Sequence, residues 1–145
     1  QGASNLAANP QAGVATLAEP IETYADLRNS NVVKLVTNQQ SIALYFSRAP
    51  IPWPRDLMDA ANTEASLPKD YAFIRHIGIY AYRVRELNDF VTWPVAPIEA
   101  TEKLEQLRFM WQGVAIHATQ ALQPVPGGID TEKDLQAVIE LLKAN

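Results

Sequence analysis

The chain has 145 residues, enough for one domain with a sizeable core, and its composition of 48% hydrophobic and 19% charged residues is ordinary for a globular protein. Its net charge of −4 disfavours nucleic acid as a partner, because phosphate binding needs a basic face. Cysteine is absent, which excludes disulfides and thiolate metal sites and fits a reducing cytoplasm. No apolar run reaches the roughly 18 residues that a membrane-spanning helix needs.

The N-terminal part is predicted to contain one strand between less regular segments. Its opening residues, GASNLAANP at 2–10, look like the frayed end of a longer or processed polypeptide. Residues 13–21 are largely apolar and predict a strand, which Pro20 ends because proline lacks the donor that a ladder requires. Residues 22–29 fit either a helix or a loop.

A β-hairpin is the clearest local prediction. NVVKLV at 31–36 and SIALYFSR at 41–48 are strand-like, and the turn-forming residues TNQQ separate them. The following segment, 49–56, contains three prolines and predicts a rigid loop. The polar residues 57–70 predict a surface excursion.

The second half of the chain alternates between strand and helix patterns, which favours an α/β fold with a mixed sheet and flanking helices. The pattern predicts a strand at 71–83, a short helix at 84–93, one longer helix at 96–113, a strand at 114–120 and an amphipathic helix at 129–145.

Several polar residues share one face of the strand at 71–83. His76 and Tyr80 lie on either side of Gly78, and the rise of a strand separates them by about 13 Å. A glycine inside a strand often marks the close approach of a ligand, so the two side chains would rim a sugar pocket. The alternative is a core histidine and tyrosine satisfied by the backbone.

Two charged residues have both a structural and a functional interpretation. Arg75 faces the apolar side of its strand, where a buried guanidinium needs a carboxylate partner, so a structural ion pair is favoured. Asp130 follows two glycines at the start of a predicted helix, where it would cap the helix or hold Mg²⁺. His117 is interpreted as structural.

Four further residues are candidates for ligand contacts, each with a solvated surface role as the alternative. Glu105 and Gln106 lie beside an apolar helical stripe and could read sugar hydroxyls. Arg48 and Arg55 stand where a strand gives way to a loop and could clamp a carboxylate or phosphate. The chain contains no glycine-rich phosphate loop, nucleophile elbow or metal-spaced histidine motif, so by itself it encodes no complete catalytic site.

Four blocks together resemble the 3-deoxy-D-manno-octulosonate (KDO) cytidylyltransferases, also called CMP-KDO synthetases. In chain order they are ALYFSRAPIPWPRD at 43–56, RHIGIYAYR at 75–83, LEQLR at 104–108 and PGGIDTEKDL at 126–135. The likeness runs from about Gly13 to the C-terminus, and the four blocks are specific as a set. The resemblance implies the C-terminal part of a nucleotide-diphospho-sugar transferase-like, Rossmann-like fold.

The resemblance implies a nucleotidyl transfer in which CTP and KDO give CMP-KDO and pyrophosphate. Mg²⁺ would neutralise the triphosphate, and Asp130 matches the family's C-terminal metal-binding aspartate. The family's sugar contacts and basic positions match a second group of residues, namely His76, Tyr80, Glu105, Gln106, Arg48 and, less closely, Arg55. The resemblance further implies a homodimer that acts in lipopolysaccharide biosynthesis in a bacterial cytoplasm.

The resemblance covers only the C-terminal portion of the family pattern. Family members begin with a nucleotide-binding half that contains a phosphate-binding R-x-x-S-x-R-x-P-x-K loop and later a Q-G-D-x-P segment, and both are absent from residues 1–145. We therefore expect one sugar-acid and dimerisation portion, without the N-terminal CTP-binding half, that is inactive alone. Two alternatives stay open: a non-catalytic sugar-acid-binding or dimerisation module, and a cytidylyltransferase for another 2-keto sugar acid such as a sialic acid.

Overall fold

The computed structural model describes residues 1–55, 67–68, 70–123, 125, 136 and 139–140. Five strands lie in this part of the chain: β1 (Val14–Pro20), β2 (Lys34–Thr37), β3 (Ala43–Ser47), β4 (Ile74–Tyr82) and β5 (Ile116–Gln120). Five helices accompany them: α1 (Gly2–Ala8), α2 (Tyr24–Arg28), α3 (Val84–Phe90), α4 (Pro97–Glu102) and α5 (Gln106–Trp111). None of the helices among the described residues is long and apolar enough to cross a membrane.

The strands form one mixed sheet in the order β3–β2–β4–β1–β5, which confirms the predicted α/β class. β1 is parallel to β5 and antiparallel to β4, while β2 and β3 form the predicted antiparallel hairpin. The sheet curls so that its two edge strands meet, because Ile42 pairs with His117 and the amide of Ala118 donates to the carbonyl of Ser41 at 2.8 Å.

A wide bulge interrupts the pairing of β4 with β1. Thr16 lies opposite Tyr80 and Ala18 lies opposite His76, so β4 uses four residues where β1 advances by two. Gly78 sits inside this bulge with φ of +84°, a left-handed conformation that residues with a Cβ atom rarely adopt. The bulge is therefore a feature of the backbone that the glycine permits.

The main core lies between the sheet and the helices that follow β4. Its completely buried members come from β1, β2, β3, α5 and β5, and they are Val14, Leu35, Phe46, Leu107 and Ile116. A smaller cluster holds α1 against β1 and contains Leu6, Ala12 and Ala15. Burying these side chains is the dominant stabilising contribution.

Two predictions about helices are wrong. Residues 2–8 are helical rather than frayed, because Leu6 is buried and holds α1 in place. The segment at 96–113 is two short helices rather than one, since Lys103 has φ of 56° and ends α4 in a left-handed conformation. Trp111, the last residue of α5, is 55% exposed.

The other local predictions divide by whether the described residues include them. The strands at 13–21, 71–83 and 114–120 and the short helix after Arg83 are confirmed. The greater part of the surface excursion at 57–70, and almost all of the amphipathic helix predicted at 129–145, lie outside the described residues.

Candidate functional site

A cleft of about 410 Å³ opens between the C-terminal half of β4 and the turn that joins α4 to α5. Aromatic and apolar side chains form one side of the cleft, and the turn forms the other. The lining residues are Tyr80, Tyr82, Leu87, Phe90, Lys103, Leu104, Glu105, Gln106 and Phe109. Three predicted sugar contacts therefore share one cavity: Tyr80, Glu105 and Gln106.

A continuous row of rings builds the aromatic wall. The ring of His76 lies 5.0 Å from that of Tyr80, which stacks on Tyr82 at 5.5 Å. Tyr82 contacts Phe109 at 5.6 Å, and Phe109 stacks on Phe90 at 4.6 Å. Burial raises the pKa of both tyrosines, so their hydroxyls are protonated donors at neutral pH.

The sequence-based geometry of the β4 strand is wrong in one respect. A regular strand would separate His76 from Tyr80, whereas the bulge brings their rings into contact. Among the described residues no protein atom lies within 4 Å of the position of a Cβ atom on Gly78, so packing within the protein does not require the glycine. The glycine is required by its positive φ instead.

His76 is held from behind by β1 and by the bulge itself. The hydroxyl of the buried Thr16 lies 2.9 Å from Nε2 and donates to the carbonyl of Ile79 at 2.8 Å. The amide of Gly78 approaches the same ring nitrogen at 3.2 Å. Burial lowers the pKa of His76 to about 4, so the imidazole is neutral at pH 7.

The turn between α4 and α5 presents two adjacent polar residues to the cleft. Glu105 is exposed, whereas Gln106 is only 6% exposed. The Gln106 side-chain Nε2 is buried and has no hydrogen-bond partner among the described residues. A buried amide without a partner costs free energy, and Gln106 is one of the residues that line the cleft.

A buried ion pair fixes α5 against α4. Arg108 donates through Nε and Nη2 to the two carboxylate oxygens of Glu99, at 2.8 and 2.6 Å. The guanidinium also lies over the ring of Phe90, 4.2 Å from its centre. The hydrogen bonds from Arg108 are the main cause that lowers the pKa of Glu99. We call the turn that carries Glu105 and Gln106 the polar wall of the cleft. The pair of Arg108 and Glu99 orients this polar wall relative to the aromatic wall.

Arg48 lies at the end of β3 and is not among the residues that line the cleft. Its Nε donates to the carbonyl of Glu102 at 2.8 Å, and its Nη1 donates to the carbonyl of Ser30 at 2.9 Å. Because Glu102 is three residues before Glu105, Arg48 is joined directly to the segment that forms the polar wall. Arg55 is exposed and is also absent from the lining.

Arg75 belongs to a structural ion pair, as favoured from its sequence context. Its Nη2 donates to Glu19 on the neighbouring β1, whose other carboxylate oxygen accepts from the amide of Val125 at 2.6 Å. The burial of Glu19 would raise its pKa, but the hydrogen bond from Val125 and the pairing with Arg75 lower it overall. His117 is also buried, on β5.

The described residues offer no ready-made metal cluster. Within this part of the chain, no group of three or more His, Asp or Glu residues could hold a metal ion. Asp130, the predicted Mg²⁺ ligand, lies outside the described residues. Mg²⁺ often takes only one or two protein carboxylates and completes its shell with water and substrate phosphates, so the prediction for Asp130 stays open.

Residue-by-residue reasoning missed several lining residues. Tyr82 shares the strand face of His76 and Tyr80, so period-two alternation could have identified it. Lys103 was missed because its left-handed conformation cannot be read from a lysine in a helical pattern. Phe90 on α3 and Phe109 on α5 contact each other although they lie on different helices, which no local pattern reveals.

Three comparisons with known proteins agree on one family. Residues 1–116 match the family model described as Cytidylyltransferase. Curated 3-deoxy-manno-octulosonate cytidylyltransferases from Hahella chejuensis and Pseudomonas syringae pv. tomato are 59% and 54% identical, over 95% and 99% of this chain. The aligned regions are 53% and 56% of those relatives, so the chain spans about half of their length.

A solved structure supports the same assignment. The chain superimposes with a TM-score of 0.82 and 34% identity on a CMP:2-keto-3-deoxy-manno-octonic acid synthetase complexed with CTP. The match covers 99% of this chain and 54% of that one. The aligned region therefore includes the sheet and the residues that line the cleft, and the family model matches residues 1–116. This chain belongs to the cytidylyltransferase family.

Proposed function

We propose that this chain supplies the sugar-acid side of a KDO cytidylyltransferase, an enzyme that converts CTP and KDO to CMP-KDO and pyrophosphate. The observation that carries the proposal is that one cleft is lined by three residues matching the family's sugar contacts, Tyr80, Glu105 and Gln106. The names of the relatives support KDO as the sugar acid and favour neither a sialic acid nor a non-catalytic module.

Each cleft residue has a distinct part in the proposed binding of KDO. The carboxylate of Glu105 accepts hydrogen bonds from sugar hydroxyls, while the Gln106 side chain turns toward the cleft so that its Nε2 donates to a sugar oxygen. The hydroxyl of Tyr80 donates from the apolar wall, and neutral His76 supports its ring. An apolar wall facing a few polar groups is typical of a small-molecule site.

The arginines of the proline-rich region have a less direct part in the proposal. Arg48 bonds two main-chain carbonyls, which leaves other guanidinium N–H groups for the carboxylate of the sugar acid. Arg55 is exposed on the loop after β3 and would attract the acid from solution.

Mg²⁺ and CTP would bind to residues outside the described part of the chain. When bound, Mg²⁺ neutralises the triphosphate and stabilises departing pyrophosphate, and Asp130 would be one of its ligands. The CTP site is proposed to lie largely in the portion of the relatives that this chain does not align with. We also propose a homodimer in the cytoplasm, where CTP is available, with CMP-KDO used for lipopolysaccharide synthesis.

Pyrophosphate release tests the function. The polypeptide encoded by the full reading frame that contains these residues should release pyrophosphate with CTP, Mg²⁺ and KDO, and much less with N-acetylneuraminic acid. Glu105→Gln should raise the KM for KDO by roughly tenfold, the value of one lost charged hydrogen bond. Faster release with the sialic acid would reassign the substrate, and no release with either acid would refute the proposal.

A further inference from the structure

The end of β3 and the end of α4 are joined by three hydrogen bonds that all reach one residue. Glu102 accepts from the hydroxyl of Ser47 through Oε1 at 2.6 Å and from the amide of Arg48 through Oε2 at 3.0 Å. Its main-chain carbonyl accepts from Nε of Arg48 at 2.8 Å. The side chain and the main chain of Glu102 therefore both bond to the last residue of β3 or to the residue after it, Ser47 and Arg48.

The contact fixes the direction of the Arg48 guanidinium. Two of its five N–H groups are used, by the carbonyls of Glu102 and Ser30. Among the described residues no carboxylate lies within salt-bridge distance of this guanidinium. The arginine thus has guanidinium donors left for an anion from outside.

The other side of the contact leads directly into the cleft. Glu102 is the last residue of α4, and Lys103 turns the chain with φ of 56°. Leu104 is then buried, and Glu105 and Gln106 line the cavity. The placement of Glu102 sets where this turn begins, so a shift of Glu102 would move the polar wall.

Glu102 also interacts electrostatically with a buried cation, Lys34. Lys34 lies opposite Ser47 in the hairpin and is completely buried. Its burial lowers its pKa most, Arg48 lowers it further, and Glu102 opposes both effects. Glu102 is therefore an acidic group that partly offsets the effects of burial and of Arg48 on Lys34.

We propose that Glu102 is a positioning residue that couples Arg48 to the turn bearing Glu105 and Gln106, so that both grip the sugar acid at a fixed separation. The inference rests on the proposed function and adds to it a residue that does not line the cleft. Misplacement of a binding group by about 1 Å is enough to weaken a productive complex severely.

Kinetics of variants in the full reading frame test the coupling. Glu102→Ala should raise the KM for KDO by roughly tenfold and leave the KM for CTP unchanged. Glu102→Gln should have a smaller effect, because its amide oxygen still accepts from the amide of Arg48. Ser47→Ala should raise the KM for KDO in the same direction, and adding it to Glu102→Ala should cause no further loss.

Thr101→Ala is the matched control, since within the described part of the chain its hydroxyl bonds only the carbonyl of Pro97 in the same helix. It should leave both KM values unchanged. A purely structural role for Glu102 predicts a different outcome: a smaller folded fraction, a lower kcat and unchanged KM values. That result would overturn the inference while wild-type turnover of KDO would still support the proposed function.

A ligand-free measurement separates the two proposals further. In ¹⁵N-labelled protein, the Nε–H signal of Arg48 should be protected from solvent exchange in the wild type and in Thr101→Ala. The protection should weaken in Glu102→Ala, because without the carboxylate bonds to Ser47 and to the Arg48 amide the carbonyl of residue 102 is no longer held against this Nε–H. An unchanged Arg48 signal in Glu102→Ala would refute the positioning role even if the wild type turned over no sugar acid.

Discussion

The two walls of the cleft are built by different kinds of interaction. The aromatic wall from Tyr80 to Phe109 depends on ring packing and on a backbone bulge, and it contains no charged group. The polar wall after α4 depends on charged hydrogen bonds, those of Glu99 with Arg108 and of Glu102 with β3. Packing is non-directional, whereas these hydrogen bonds specify angles and distances.

The difference suggests a division of labour between affinity and selectivity. An apolar wall contributes buried area and accepts ligands of many shapes. A polar wall with fixed donors and acceptors rejects analogues that cannot pair with it, because unpaired buried groups are costly. Substitutions in the aromatic wall should therefore mainly change stability, and substitutions in the polar wall should mainly change which sugar acid is bound.

The largest effect is expected for Phe109→Ala, which removes the ring that joins the aromatic wall to the core. Phe109 is 3% exposed and stacks on Phe90. Losing a buried aromatic ring costs about 3–5 kcal/mol of the free energy of unfolding. Urea unfolding measures this loss, and Leu122→Ala is the control, since Leu122 is 84% exposed. If Phe109→Ala lost no more free energy of unfolding than Leu122→Ala, the aromatic wall would not support the fold.

The second effect is a loss of folding stability at low pH, which we expect because His76 is neutral inside the aromatic wall. Its pKa is lowered from 6.5 to about 4 by burial. Between these two pH values the unfolded chain binds a proton that the folded chain does not, so stability falls as the pH falls from about 6.5 to about 4. The loss attributable to His76 is at most about 3 kcal/mol.

Urea unfolding of wild type and His76→Phe across this pH range isolates that contribution. The phenylalanine keeps a ring beside Tyr80 and does not titrate, and Thr16 retains its bond to the carbonyl of Ile79. His117, whose pKa burial also lowers, remains in both proteins and contributes equally. If the free energies of unfolding of the two proteins change in parallel down to pH 4, folding does not lower the pKa of His76 as described.

A third, smaller effect tests the bulge. Gly78 and Gly113 both have positive φ, +84° and +79°, and a Cβ atom on either meets nothing within 4 Å. Alanine at either position should therefore cost roughly 1–2 kcal/mol from backbone strain alone. Only Gly78→Ala should also weaken KDO binding, because only Gly78 lies in the bulge that brings His76 to Tyr80. Equal losses of affinity in both variants would contradict this specific role.

The sequence predicted elements where local pattern decides structure. The β2–β3 hairpin and the strands β1, β4 and β5 follow from alternating or continuous apolar residues, and the structure confirms them. The break at Lys103 could not be predicted, because a lysine in a helical pattern carries no signal of a left-handed conformation. The contact of His76 with Tyr80 was missed because a bulge depends on the neighbouring strand as well as on its own residues.

Candidate site residues were predicted by a different route. Residue types alone left Glu105 and Gln106 as surface residues or sugar contacts, and the four-block resemblance favoured the second interpretation. The structure adds that Gln106 is buried, which no local pattern indicated. Arg48 does not line the cleft and bonds instead to Glu102. No local pattern could predict the role of Glu102, because its partners lie 54 and 55 residues away.

The smallest expected effect on stability comes from Gln106→Met, and its sign distinguishes the two walls most sharply. Gln106 buries an amide nitrogen without a partner, so an apolar side chain of similar length removes a desolvation cost. We expect the free energy of unfolding to rise by about 1 kcal/mol. The same change removes the donor proposed for the sugar acid, so KDO binding should fall by roughly tenfold or more.

Gln112→Met is the matched control, since Gln112 is exposed at the end of α5 and does not line the cleft. It should change neither stability nor binding, as urea unfolding and calorimetric titration with KDO would show. A gain in stability with lost binding is the behaviour of a site that tolerates an unpaired group because the ligand pairs with it. If Gln106→Met were destabilised and still bound KDO normally, the amide would have a structural partner and the polar wall would lose its proposed donor.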